Sequence, residues 1–244
     1  MTDDTLDAEV IDDANGDNPR AQLALPASVL PTTLHLLPVT ERPFFPAQGV
    51  PVLMNDDPWM ETVKAIGESP QHLVGLVLVG TADADQASPE DFAEIGTAVR
   101  MHHPMRNAGK IQFIAEGLRR MRIVEWLSSK PPFLARVEYP EDILGNDDEL
   151  KAYAIAIINT LKELVPLNPL YSEELKFFLN RFNPNEPSAL TDFAASLTTS
   201  SGRELQQVLE TFPVLDRMKQ VLILIRKELE VAKLQTQIHR QVEE

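Results

Sequence analysis

Residues able to carry chemistry occur in this chain, but not at the spacings catalysis needs. A phosphate loop of the G-x-x-x-x-G-K-[ST] kind supplies backbone amides and a lysine for nucleotide phosphates; none is found among the ten glycines. Gly75 and Gly80 lie in or beside an apolar run, where close packing is the reading. The five histidines are His35, His72, His102, His103 and His239. His102 and His103 are adjacent on a predicted strand, so their rings point to opposite faces and cannot share an ion. Asp83-Ala84-Asp85 matches only the start of a calcium loop, without the third ligand, turn glycine or closing glutamate. The absence of cysteine excludes disulfides, thiolate metal sites and a cysteine nucleophile. A Ser/His/Asp triad assembles in space, so spacing leaves it open, but no G-x-S-x-G elbow presents a serine. The chain reads as non-enzymatic, with no catalytic residue, no cofactor and no metal.

Binding chemistry is better represented. Arg119, Arg120 and Arg122, with Arg100, Arg106 and Lys110 nearby, form the one basic cluster. Alternation puts Arg120 and Arg122 on one strand face. That face reads as solvated and turned to local acid, and contact with an acidic region of another subunit or of a substrate is the second reading. Without interleaved aromatics it is not a nucleic-acid footprint. The other candidates are apolar and lie in turns: Phe44, Phe45 and Pro46, then Pro51, then Trp59 and Met60, then Met101, Pro104 and Met105. Two readings stand: these side chains plug the ends of a β core, or they form a surface patch. A patch of Phe, Met, Trp and Pro binds unfolded segments without sequence specificity, because Met adapts to irregular partners and contiguous exposed apolar surface marks binding sites. On the second reading all nine are substrate-binding candidates.

Composition sets the frame. The 244 residues are 43% hydrophobic and carry a net charge of −15, which argues against general nucleic-acid or anionic-membrane binding. Residues 1–20 hold seven carboxylates against Arg20; residues 1–30 read as a disordered acidic tail, or alternatively as an interaction arm. No apolar run reaches the roughly 18 residues of a membrane span. The start lacks the basic and apolar regions of a signal peptide, and the expected location is cytoplasmic.

The chain changes character near Gly145. Before it, apolar runs at Leu34–Val39, Val50–Met54, Leu73–Val79, Ile95–His103, Lys110–Glu116, Arg119–Leu127 and Phe133–Tyr139 predict about six strands. Asn107-Ala108-Gly109 predicts a hairpin turn. Asp57 and Pro58 predict the start of one short helix, and Pro131-Pro132 parts two strands. After Gly145, helices are predicted from Asp147 or Asp148 to about Val165, from a Ser172 cap through Phe182, and from a Ser188 cap over Leu190–Leu197. Ser201-Gly202-Arg203-Glu204 fits a capping box. A last helix opens at Thr211-Phe212-Pro213, with Leu215, Met218, Leu222, Ile225, Leu229 and Ala232 as a coiled-coil-like seam. It still runs at the final residue, as expected of a boundary inside a longer protein. The fold class predicted is α+β: a β-rich domain over residues 31–143, then an α-helical bundle over 144–244 ending in a long helix.

Particular segments carry a resemblance. Leu36-Leu37-Pro38-Val39, Pro43-Phe44-Phe45-Pro46 and Val50-Pro51-Val52-Leu53 come first. Ile95-Gly96-Thr97-Ala98-Val99 and Ala115-Glu116-Gly117-Leu118-Arg119-Arg120-Met121-Arg122-Ile123 follow. Together they resemble the amino-terminal domain of Lon, the ATP-dependent AAA+ protease, over roughly residues 34–139. Leu190-Thr191-Asp192-Phe193-Ala194-Ala195 extends the likeness into the helices. The resemblance implies a PUA-like pseudo-barrel of two packed sheets. It also implies recognition of unfolded or damaged proteins and their delivery to a homo-hexameric ATPase–protease with a Ser–Lys dyad, whose motifs this chain lacks. Pro58-Trp59-Met60 stands where family members often carry charge, and the acidic residues 1–33 are expected to lack a counterpart. The alternatives are a freestanding binding module without a protease, and a scaffold or oligomerisation domain built on the last helix.

Overall fold

A computed structural model describes residues 29–181, 183 and 185–243. The chain divides into a short unit, Met1–Pro31, and a compact unit, Thr32–Glu244, which is described here. The predicted acidic tail falls almost wholly outside the described residues.

Six strands form one mixed sheet: β1 (Thr33–Val39), β2 (Gly49–Asn55), β3 (Leu73–Leu78), β4 (Ile95–Asn107), β5 (Lys110–Trp126) and β6 (Leu134–Glu138). Their order is β2-β5-β4-β3-β1-β6, and β6 also pairs with β5, so the sheet curls back on itself. The expected two packed sheets are thus one continuous sheet. β1 and β3 are parallel and the other pairs antiparallel. The two segments predicted on either side of Gly117-Leu118 are a single 17-residue strand, β5. Its first part pairs with β2 and its last part with β6, while β4 accompanies it for most of its length. A register shift beside Gly117 leaves Leu118 without a partner residue on β4. A side chain at Gly117 would stand 2.3 Å from the Phe45 carbonyl oxygen, so glycine lets the Phe45-Pro46 backbone cross the strand. The β4–β5 turn is Ala108-Gly109, both with positive φ (49° and 77°), the two-residue turn whose twist suits a hairpin.

The helix α1 (Asp56–Glu68) follows β2. Asn55 holds the N-cap position but makes no side-chain capping bond, and Asp57 and Pro58 are non-helical around a cis peptide bond. Regular helix begins at Trp59. Gly75 does pack closely, since a side chain there would meet Leu36 and Met121 at 2.6 Å, whereas Gly80 has no such neighbour.

Five helices follow: α2 (Asp147–Leu164), α3 (Pro169–Arg181), α4 (Pro187–Leu197), α5 (Gly202–Leu209) and α6 (Val214–Glu243). Asn146 caps α2 through the Asp148 and Glu149 amides, at 3.0 and 3.1 Å. Ser172 and Ser188 lie inside α3 and α4 and do not cap them. The capping box holds at α5: Ser201 and Glu204 exchange bonds of 3.0 and 3.2 Å. The helical core gathers Leu150, Ile157, Phe178, Phe193, Leu205, Val221 and Ile225, and Phe45, Ala47 and Ile95 join it from the sheet side. The helical core thus reaches the β domain at these three residues, while Leu36, Leu76, Phe113 and Phe133 are buried outside that cluster.

Candidate functional site

The nine apolar candidates separate by burial. Phe44, Phe45, Trp59 and Met101 are core residues. Pro46 and Met60 are half-buried, and Pro51, Pro104 and Met105 are exposed. The reason is local. Thr97 donates its hydroxyl to the Phe44 carbonyl at 2.5 Å, which fixes the proline-bounded turn with both rings inward. The Trp59 indole donates to Asp85 at 2.8 Å and its ring sits 6.0 Å from Phe133. Met101 falls on the inner phase of β4. For these four the expected surface patch gives way to core plugging.

A different apolar surface is present on the outer face of the β2-β5-β4 ribbon. Ile111, Phe113 and Ala115 of β5 point inward and are buried, so Gln112 and Ile114 point outward. Ile114 stands beside Pro51 on β2 and His102 on β4, and Gln112 stands beside Leu53 and Met105. Leu53 is 66% exposed, Met105 64% and Ile114 42%. Between His102 and Met105 the register shifts, because His103 (φ 51°) and Pro104 together face the single residue Phe113. Such a bulge re-aims the side chains beyond it, and here Met105 keeps a place on the outer face. Rows of unlike strands hold these groups on a rigid scaffold. Pro51, Pro104 and Met105 of the candidate set contribute to the surface. Leu53 and Ile114 are not in that set, although Ile114 is legible as the apolar residue at the polar phase of Lys110–Ala115.

Polar groups frame the face. His102 Nε2 lies 2.7 Å from Glu116 Oε2, Arg106 pairs with Asp56 at 2.6 Å, and the Lys110 ammonium donates to the Asn55 side chain. No helix among the described residues is long and apolar enough to cross a membrane, and no cluster of three or more His, Asp or Glu among them is placed to hold a metal.

The arginine cluster is not a single solvated face. Arg119 is exposed and stacks over Tyr139 at 5.8 Å; burial pushes the Tyr139 phenol up to about 12, against the lowering pull of Arg119. Arg122 is half-exposed, 3.2 Å from Glu94 and 5.6 Å from the Phe212 ring centre. Arg120 is only 5% exposed. It clasps both oxygens of Asp192 on α4 at 2.6 and 2.7 Å and donates to the Leu209 carbonyl at 2.8 Å. Arg217 of α6, wholly buried, lies 3.6 Å from the same carboxylate. It donates to the Thr211 carbonyl, the Ser188 hydroxyl and Asp142 at 2.8, 2.7 and 2.5 Å. Burial raises the Asp142 carboxyl, but the bonds from Arg217 and Ser188 outweigh it and hold the group below the usual carboxylate range. The network ties β5 to α4 and α6, and Arg120, Asp142, Ser188 and Asp192 together line a cavity of about 390 Å³ beside it. Its trace in the sequence is Asp192, a carboxylate inside an apolar helix that needs a buried cation.

The ATP-dependent protease La (LON) substrate-binding domain family matches residues 33–227. Lon protease 2 of Hydrogenovibrio crunogenus is 46% identical over 99% of this chain, and Lon protease of Magnetococcus marinus 40% identical over 96%. The chain spans only 28% and 30% of those two proteins. The first alignment takes in nearly all of residues 1–33, against the expectation that they lack a counterpart. Among solved structures, the N-terminal domain of Mycobacterium avium complex Lon protease superposes with a TM-score of 0.62 at 20% identity, over 80% of this chain and 98% of that one. A Lon N-terminal domain protein from Xanthomonas campestris superposes with a TM-score of 0.54 at 16% identity, over 79% and 98%.

Proposed function

The chain belongs to the Lon substrate-binding domain family, and from that premise we propose that it captures unfolded or damaged proteins through exposed apolar surface and presents them to the hexameric ATPase–protease of a Lon-type chain. The observation supporting this reading is the outer face of the β2-β5-β4 ribbon, where Pro51, Leu53, Ile114 and Met105 stand in water on a fixed sheet. Folded proteins keep their apolar segments inside, so a surface of this kind selects chains that have lost their fold. Each contact is weak, and assembly of several copies raises the effective concentration. Leu53→Ser with Met105→Ser is expected to weaken binding of casein about tenfold, a loss of ~1.4 kcal/mol. Both side chains are exposed, so the melting temperature should hold. Unchanged affinity, or casein-induced NMR shifts confined to the helices, rejects the face as the capture surface.

A second reading is favoured by α6. Beyond Leu229 its apolar residues Val231, Leu234, Ile238 and Val242 are exposed, and their spacing puts them on one helix face. On that reading the helix end is an assembly contact. Removing residues 231–244 and measuring mass in solution separates the two: a change in assembly with casein binding intact assigns the helix to oligomerisation alone.

A further inference from the structure

β2 uses only one of its two edges. Among the described residues it pairs with β5 and no strand lies on its other side. The Asp56 amide donates to the Gly109 carbonyl at 3.0 Å, and the Gly117 amide to the Gln48 carbonyl at 2.9 Å, one at each end of the ladder. With the pairing register these bonds set its phase: even-numbered residues of β2 turn their main-chain groups to β5, and Pro51 and Leu53 turn theirs away. Proline at 51 therefore removes no ladder bond. The Leu53 amide and carbonyl and the Pro51 carbonyl face outward, with no partner in the chain among the described residues. Phe177 lies over the Gly49 end, where an added side chain would overlap its ring at 1.8 Å. The open stretch is the middle of the strand.

That edge opens on a groove of about 580 Å³ whose lining includes Phe44, Val52 and Trp59. Its rim is acidic. Glu41 and Asp83 are exposed and neither makes an ion pair. The two nearby cations are engaged: Lys110 donates to the Asn55 side chain, and Arg42 reaches away to the Ser196 carbonyl at 3.0 Å.

We propose that the outer edge of β2 takes an extended polypeptide segment as an added strand, with lysine or arginine of that segment set against Glu41 and Asp83. The proposal deepens the capture reading above and rests on it. Main-chain bonds from an added strand are indifferent to sequence, and alternate side chains of the guest enter the groove. That combination suits a domain that meets many unfolded chains. Pro51 interrupts the row of donors, which blunts the edge against pairing with a whole foreign sheet.

The test uses the 244-residue chain and a peptide of about ten residues, lysine at each end and threonine alternating with valine between. Expected are peptide binding, slowed hydrogen exchange of the Leu53 amide in the complex, and about tenfold weaker binding to Leu53→Pro. Leu53→Ala keeps the amide and should cost less. A peptide with two adjacent central residues replaced by proline loses a donor on each of its edges and should also bind about tenfold more weakly to the unaltered protein. Glutamate in place of the peptide lysines should weaken binding. Unchanged exchange at Leu53 in the complex, or equal affinity for the proline peptide, overturns strand addition. If casein still binds in that case, the capture reading survives without the edge; if neither ligand binds, both fall. Leu53 protection that rises with protein concentration in the absence of peptide assigns the edge to a second copy of this chain and overturns the proposal. Equal affinity for the glutamate peptide overturns the role of Glu41 and Asp83.

Discussion

At Arg120 a guanidinium sits where strand alternation alone would leave it in water, yet it is bound on every side within the fold. Breaking a buried pair strands the surviving charge. Arg120→Ala is accordingly expected to cost about 3 kcal/mol in urea unfolding, softened because Arg217 stays 3.6 Å from Asp192. Arg120→Leu combined with Asp192→Leu should recover most of the loss, and a single mutant as stable as the parent would deny the network a structural role. Tyr139 gives a pH signature. Its folded pKa is raised to about 12 by burial, above the unfolded value of roughly 10. Between those values the unfolded chain has lost the proton and the folded chain has not, so stability falls as pH rises through that window. Below it the group contributes no slope. Tyr139→Phe should flatten the alkaline decline, and equal slopes would mean the phenol ionises as freely folded as unfolded.

Among the elements, α6 has two stretches with different partners. Up to Leu229 its seam is a packing face: Met218, Leu222, Ile225 and Leu229 are all buried against the bundle. The coiled-coil-like periodicity thus serves the chain's own core over this length. Leu222→Asp is expected to lower stability by about 4 kcal/mol, as a buried unpaired charge does. Ile223→Asp, one residue along and 69% exposed, should change it by no more than about 0.5 kcal/mol. A similar small effect at both positions in thermal melts would mean the helix is not docked. β5 is the corresponding element of the sheet. Its length lets one strand carry both the outer apolar face, at Gln112 and Ile114, and the anchor to the helices, at Arg120.

For the whole molecule, the outer apolar face and the anchor to the helices lie on separate stretches of β5, so a change at that face leaves the helical contacts in place. The absence of a phosphate loop in these 244 residues sets a further expectation: the purified chain turns over no ATP and cleaves no casein. ATP hydrolysis that tracks with the protein through purification would place chemistry in this domain and contradict the proposed capture role.

The family was legible in the chain, because the Leu36–Leu53 and Ile95–Ile123 segments are local strings whose prolines and glycines answer to nearby backbone. The α+β class, the presence of a hairpin turn at Asn107-Ala108-Gly109 and the α5 capping box were legible for the same reason, since each depends on residues within a few positions. What the sequence could not order was distance along the chain. Whether Phe44 and Phe45 face core or water depends on Thr97 and on Gly117, which admits their backbone. Whether Arg120 is solvated depends on Asp192 and Leu209, brought to it by helices. The closure of the sheet depends on β6 returning to β5. Of the nine apolar turn residues, four are buried, and which apolar side chains stand on the outer face was decided by strand phase and by the bulge at His103-Pro104. Local pattern is fixed by steric and hydrogen-bond rules acting over a turn or two, whereas burial belongs to partners tens of residues away, and only the tertiary structure brings those partners into contact.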